Sequence, residues 1–232
     1  MRLWGALAVL GALVLSGCSR PVADYRYRMT IEVETPEGLK SYSSVREVTI
    51  TEVSSINDSS RKALKYELKG EAVVLDLPNG QTVFALLSRP DNVDYAIGIA
   101  GAALLSERRA DELSYEPFLR RMVKVEGPRE LPRTRLSAPP AKGLTQLWPF
   151  FVRFRDINDP KSAEEVSPDA LGGGAYVKRI TIEVTDDDVT TGIEKRLSWL
   201  PTQHGSYLNG PSSRTAPFGF LDGGAFSTEL FQ

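Results

Sequence analysis

The chain has 232 residues, 41% hydrophobic and 25% charged, with 28 Lys and Arg against 30 Asp and Glu. That composition can bury a sizeable core, and its slightly acidic balance excludes the basic character of a dedicated nucleic-acid binder. A single cysteine, Cys18, and a single histidine, His204, exclude an internal disulfide and any metal site built on several Cys or His ligands.

Met1-Arg2 precedes an uncharged stretch from Leu3 to Leu15, followed by Ser16-Gly17-Cys18. Thirteen apolar residues span roughly 20 Å as a helix, short of a ~30 Å hydrocarbon core, so residues 1–17 read as a removable secretory signal. Leu15-Ser16-Gly17-Cys18 resembles the lipobox of bacterial lipoproteins, in which small residues admit the processing protease and the thiol takes a diacylglyceryl group. The resemblance implies that Cys18 is lipidated and becomes the first residue of the mature chain. Two or three acyl chains there would hold it stably to membrane lipid. Ser19, where aspartate would favour inner-membrane retention, implies the outer membrane with the protein facing the periplasm. Residues 18–24 read as a short tether, and 25–232 as a folded region preferred as one domain.

Tyr25 to Thr35 alternates apolar and polar residues, as a half-buried strand does. Pro36-Glu37-Gly38 predicts a turn and Leu39 to Val53 a second strand. Leu64 to Leu77 and Gln81 to Ser88 flank the hairpin signal Asn79-Gly80. Asp91 is placed to cap a helix over Val93 to Leu105, too short to span a bilayer and apolar enough to be buried. A second helix is predicted from Ser114 to Lys124. Residues 126–143, with four prolines, read as a linker or long surface excursion and a candidate internal boundary. Leu147 to Phe154 and Tyr176 to Thr185 predict further strands, and Ile193 to Leu200 a short helix. The tail from Gly205 is rich in glycine, yet its aromatic residues predict that it packs on the core. The fold class is therefore α+β: antiparallel sheet in hairpins and meanders, one buried apolar helix and a packed glycine-rich tail.

Tyr25 to Thr35 (YRYRMTIEVET) and Tyr176 to Asp186 (YVKRITIEVTD) match at six of eleven positions. Two related halves would explain this, and so would convergence of alternating strands. The stretch TIEVTDDDVTTGIEKRLSWLP, Thr181 to Pro201, faintly resembles uncharacterised proteobacterial lipoproteins, and no activity follows from that.

Catalytic signals are sparse. A Ser-His-Asp arrangement would need His204 as its base, with Ser206 and Asp222 nearby in sequence, but no GxSxG elbow exists. Ser59-Ser60-Arg61-Lys62 has SxxK spacing without the SDN and KTG elements that accompany it. Gly172-Gly173-Gly174 lacks the lysine of a phosphate loop. Asp156-Ile157-Asn158-Asp159 is followed by Pro160 and Lys161, which do not fit a calcium loop, and Asp186-Asp187-Asp188 has no distant glutamate in register. No cofactor is implied. Charge is segregated: Arg120 to Lys142 carries seven basic and two acidic residues, and Asp156 to Asp188 nine acidic and three basic. Arg129, Arg133, Arg135 and Lys142 are candidates for contact with anionic lipid. The function expected is a membrane-anchored envelope protein that binds or scaffolds another envelope component without catalysis. The alternative is a periplasm-facing hydrolase using His204.

Overall fold

The computed structural model describes residues 19–55, 58–105, 115–136, 143–203, 207–208, 218 and 221–229. In chain order the strands are β1 (Ser19–Thr35), β2 (Gly38–Ser55), β3 (Asp58–Lys69), β4 (Val73–Asp76) and β5 (Thr82–Ala85). After α1 (Tyr95–Leu104) and α2 (Tyr115–Met122) come β6 (Arg129–Glu130), β7 (Thr134–Leu136), β8 (Leu144–Gln146), β9 (Phe151–Phe154), β10 (Ala163–Glu165) and β11 (Tyr176–Val184). Three antiparallel sheets result, ordered β3-β2-β1-β11-β6, β10-β9-β5-β4 and β7-β8. The protein is broadly α+β, with sheet dominant.

The alternation in β1 produces the inner face of the large sheet. Tyr25, Tyr27, Met29, Ile31 and Val33 are buried, while Arg26, Arg28, Thr30, Glu32 and Glu34 lie on the opposite, half-exposed face. The turn into β2 is closed by Thr35, whose hydroxyl donates to the Gly38 carbonyl at 2.7 Å and accepts the Glu37 N–H. Gly38 has φ of 101°, a left-handed conformation that glycine adopts without strain.

β1 starts six residues before the alternation becomes legible. Ser19 to Asp24, read from sequence as part of a tether, pair with β2 from Val53 back to Thr49. A bulge between Pro21 and Ala23 shifts the register and hides the strand period from the sequence. Pro21 is tolerated because β11 pairs with β1 only from Tyr27 to Glu34, so its missing N–H breaks no ladder on that side. Arg20 reinforces the strand through ion pairs with Glu52 and, at 3.0 Å, with Glu116 of α2.

β3 and β4, expected as one strand, are separated at Gly70 (φ 130°), where the chain passes from the first sheet to the second. A Cβ at Gly70 would stand 3.1 Å from both the Arg46 Cγ and the Val45 carbonyl oxygen, so only glycine passes there without displacement.

The two faces of the second sheet enter two cores. Val73, Leu75, Val83 and Ala85 face the main core shared with β1, α1 and α2. Phe84 and Val152 face a second core closed by Leu197, Trp199, Leu221 and Phe226. The pattern of period two, continued across a sheet covered on both sides, fills both cores from the same short strands. Helix α1 begins at Tyr95, two residues later than expected. Asp94 occupies the N-cap position without a side-chain cap bond, and Val93 is 69% exposed. The helix is fixed to the sheet by hydroxyls: Tyr27 donates to the Ala96 carbonyl at 2.5 Å and Tyr25 to that of Ile97 at 3.4 Å.

The proline-rich stretch does not interrupt the fold where it is described. β6 is a short edge strand on β11, the Leu131 N–H donates to the Ile180 carbonyl at 2.8 Å, and Leu131 is fully buried. Pro128 and Pro132 flank this pairing, so their missing donors cost it nothing. The predicted helix at Ile193–Leu200 is instead two 3-10 turns, Ile193–Lys195 and Leu200–Thr202.

Candidate binding cleft

Leu147-Trp148-Pro149-Phe150 leads into β9, and its backbone is pinned from several sides. The Tyr95 hydroxyl donates to the Leu147 carbonyl at 2.9 Å, and Arg89 Nη1 donates to the Trp148 carbonyl at 2.5 Å. The Trp148 indole N–H donates to the Leu131 carbonyl at 2.9 Å, which fixes the ring against the start of the β7–β8 hairpin. Arg133 lies over that ring, 5.3 Å from its centroid, and grips Asp169 with two bonds of 2.6 and 2.7 Å. The guanidinium holds the Asp169 carboxyl below its ordinary range.

Between these groups lies a cleft of about 420 Å3, lined among others by Arg89, Asp91, Arg133, Gln146, Trp148 and Glu165. Its size is that of a small-ligand or side-chain site. The described lining offers guanidinium, carboxylate, amide and indole groups, and no hydroxyl, thiol or imidazole. Groups of these kinds can stack on a ligand and hydrogen-bond to it. The adjoining hairpin pairs Leu136 directly with Leu144, and these are 76% and 63% exposed. A cross-strand leucine pair held in water beside a charged cleft is the feature of this end of the molecule that best fits a docking surface.

A second recess of about 490 Å3 lies between Gln81, Phe84 and Arg153. Arg153 and Arg155 share Glu164, at 3.3 and 3.1 Å, so both guanidinium groups are already engaged with the one carboxylate of the described lining.

Of the residues singled out in the sequence, Arg133 lines the cleft. Arg129 lies on β6 and Arg135 on β7, both exposed. Arg129 pairs with Ile182, which pairs with Met29, ten residues along β1 from Ser19. At about 3.3 Å per residue this is roughly 33 Å from the first described residue. Cys18, Lys142, His204 and Ser206 lie outside the described residues. Four of the five aspartates weighed for calcium cap local turns or pair with arginines. Asp156 accepts the Asn158 N–H, Asp159 accepts that of Lys161, and Asp187 and Asp188 pair with Arg28 and Arg26. Among the described residues no group of three or more His, Cys, Asp or Glu could hold a metal ion, and no helix is long and apolar enough to cross a membrane. Sequence reasoning missed Arg89, Asp91 and Trp148 as a site. The signal available was local, a Trp-Pro pair and an Arg-Pro-Asp turn, and nothing in it says that the two meet.

The most deeply buried charged groups serve the fold. Arg46 is fully buried, and its Nε donates to the Glu71 carbonyl oxygen at 3.2 Å. The Glu71 carboxylate, 3% exposed, accepts N–H bonds of 3.0 Å from both Gly192 and Ile193. Burial pushes the Glu71 carboxyl above its ordinary range, against the opposing effect of those two bonds.

Comparison with protein-family models, with curated proteins and with solved structures gives no match.

Proposed function

We propose that the mature chain is a lipid-anchored protein of the bacterial envelope, acylated at Cys18, and that it binds or scaffolds another envelope component without catalysis. The observation that carries this reading is Leu15-Ser16-Gly17-Cys18 placed directly after Arg2 and an uncharged apolar run. Ser19 after the cysteine favours the outer membrane, facing the periplasm. The start of β1 at Ser19 supports the reading in one further respect: with no slack after the anchor, the folded body is held against the lipid surface. The surface offered to a partner is the Trp148–Arg133 cleft with the Leu136–Leu144 hairpin beside it. We take α1 and the tail 205–232 as integral to the folded body, supported by burial of Tyr95, Ala96, Ile99, Leu208, Leu221 and Phe226. Contact of Arg129 or Arg135 with anionic headgroups belongs to this proposal only where the large sheet lies along the bilayer, given the ~33 Å between Arg129 and Ser19.

The test is mass spectrometry of the membrane-extracted protein with a Cys18→Ser comparison. Acyl mass on an N-terminal Cys18 is expected, with uncleaved precursor in the variant, because serine offers no thiolate. An unmodified residue 18 in the unaltered protein would overturn the reading.

A further inference from the structure

β3 is the outermost strand of the large sheet, and among the described residues no strand pairs with its free edge. The backbone groups along such an edge are a template for another strand. Pairing with β2 sets Leu64, Tyr66 and Leu68 on the core-facing side, opposite Glu52, Ile50 and Val48, and Lys65, Glu67 and Lys69 on the outer side. Leu64 and Leu68 pack on the main core while staying partly exposed, and Tyr66 is 40% exposed.

Lysines on an edge ordinarily repel a second strand. Here Glu67 changes the outcome. An antiparallel copy of β3 centred on Tyr66 sets Lys65 opposite Glu67 and Leu64 opposite Leu68, each twice. The Lys65 and Glu67 side chains are 60% and 53% exposed and pair with each other at 2.6 Å, so both are available to exchange that contact for a cross-strand one. The molecule already uses this device: Arg28 stands opposite Glu183, and Arg179 opposite Glu32, about the central pair of β1 and β11.

We propose that the chain forms a two-fold dimer through β3, Tyr66 against Tyr66, joining two five-stranded sheets into one of ten strands. The occupant is a second copy because Lys65 and Glu67 complement one another in that register, with the leucines and tyrosines facing their equals, while Lys62 and Lys69 stand opposite Gly70 and Ala63 and are already paired with Glu52 and Glu47 of their own chain. The axis stands normal to the sheet. Ser19 lies at the level of Ala63, three residues from Tyr66, so the two Ser19 residues sit about 20 Å apart along the strands and about 24 Å apart across them. If the anchoring proposed above holds, both acyl groups enter one leaflet only when the sheet lies along the bilayer. The dimer itself does not depend on that anchoring.

Disulfide trapping of the full chain in its own membranes tests this. Opposed residues of an antiparallel pair have Cα atoms about 4.5–5.5 Å apart, within the span of a disulfide. Under a mild oxidant (copper phenanthroline), Tyr66→Cys is expected to give a linked dimer, and the exposed Tyr176→Cys on β11 is not. Lys65→Glu in the Tyr66→Cys chain places acids opposite acids and should cut the yield about tenfold, and adding Glu67→Lys should restore it. No dimer from Tyr66→Cys, an equal yield from Tyr176→Cys, or no loss with Lys65→Glu would overturn the proposal. A linked dimer of the unaltered chain, whose one thiol is Cys18, would overturn the acylation alone, and the Tyr66 variants would still decide the dimer.

Discussion

Thr30 and Thr181 stand opposite one another in the β1–β11 ladder, and the chain reads alike outward from both. Arg28-Met29-Thr30-Ile31-Glu32 meets Arg179-Ile180-Thr181-Ile182-Glu183 running the other way. Each arginine therefore faces a glutamate, Arg179 reaching Glu32 at 2.5 Å and Arg28 reaching Glu183 at 3.9 Å. Isoleucines meet on the buried side, Ile31 against Ile180. The repeated text has a physical use without any duplication of the surrounding halves: one self-complementary phrase written twice makes an antiparallel pair.

A charge-swap cycle tests that pairing. Glu32→Lys leaves two cations facing each other on the outer face and should lower the melting temperature. Arg179→Glu combined with it should recover most of the loss. Thermal unfolding of the four proteins checks this, and additive single effects would show that the pair is not coupled.

Glu71 should make stability depend on pH in a defined direction. Its folded carboxyl titrates above the unfolded range, so the folded state holds the proton longer than the unfolded state. The stability it confers is complete below the unfolded carboxylate range, near pH ~4, and is lost as pH rises through its folded pKa. Glu71→Gln removes that fall. It also leaves one N–H of Gly192 or Ile193 without its acceptor, at a cost of about 1–3 kcal/mol. Denaturant unfolding of both proteins across acid pH reads the difference, which should shrink at higher pH. A constant difference would place the titration elsewhere.

Arg46 presents the opposite case of a buried charge. Among the described residues its Nη2 meets no hydrogen-bond acceptor, and its guanidinium lies 6.0 Å from the Tyr27 ring centroid. Arg46→Met keeps the apolar stem and removes an incompletely compensated cation, so stability should stay within about 1 kcal/mol or rise. Arg46→Ala opens a cavity and should lose about 2–5 kcal/mol. Equal losses in both would show that the charge itself stabilises the core.

Phe226 should hold the C-terminal segment to the second core. It is fully buried, with the rings of Phe84, Phe154 and Trp199 at 5.8, 5.8 and 6.0 Å, and its carbonyl accepts the Ala72 N–H at 2.8 Å. Phe226→Ala should cost about 3–5 kcal/mol. Removal of residues 205–232 should lower the melting temperature further, because it also strips Leu208 and Leu221 from that core. A truncated chain that melts unchanged would show that the segment contributes nothing.

Short-range rules made much of this protein legible in one dimension. Alternation marked β1 and β11 because each has one face in the core and one in water, and Asn79-Gly80 marked the β4–β5 turn through local backbone preference. The lipobox resemblance also rests on adjacent residues, Leu15-Ser16-Gly17-Cys18 with the positive start and apolar run before them, and acylation at Cys18 is the proposal to be tested. Tertiary structure decided the rest, since it depends on which surfaces meet. The bulge at Pro21 concealed the first turn of pairing in β1, and the passage of β3 into β4 at Gly70 followed from the close approach of Arg46. The cleft brings Arg89 together with Arg133 and Trp148, more than forty residues further along the chain, and the Glu71 carboxylate meets Ser227 from the far end of the chain. No local period records such meetings, because the energy that selects them comes from surfaces removed from water together.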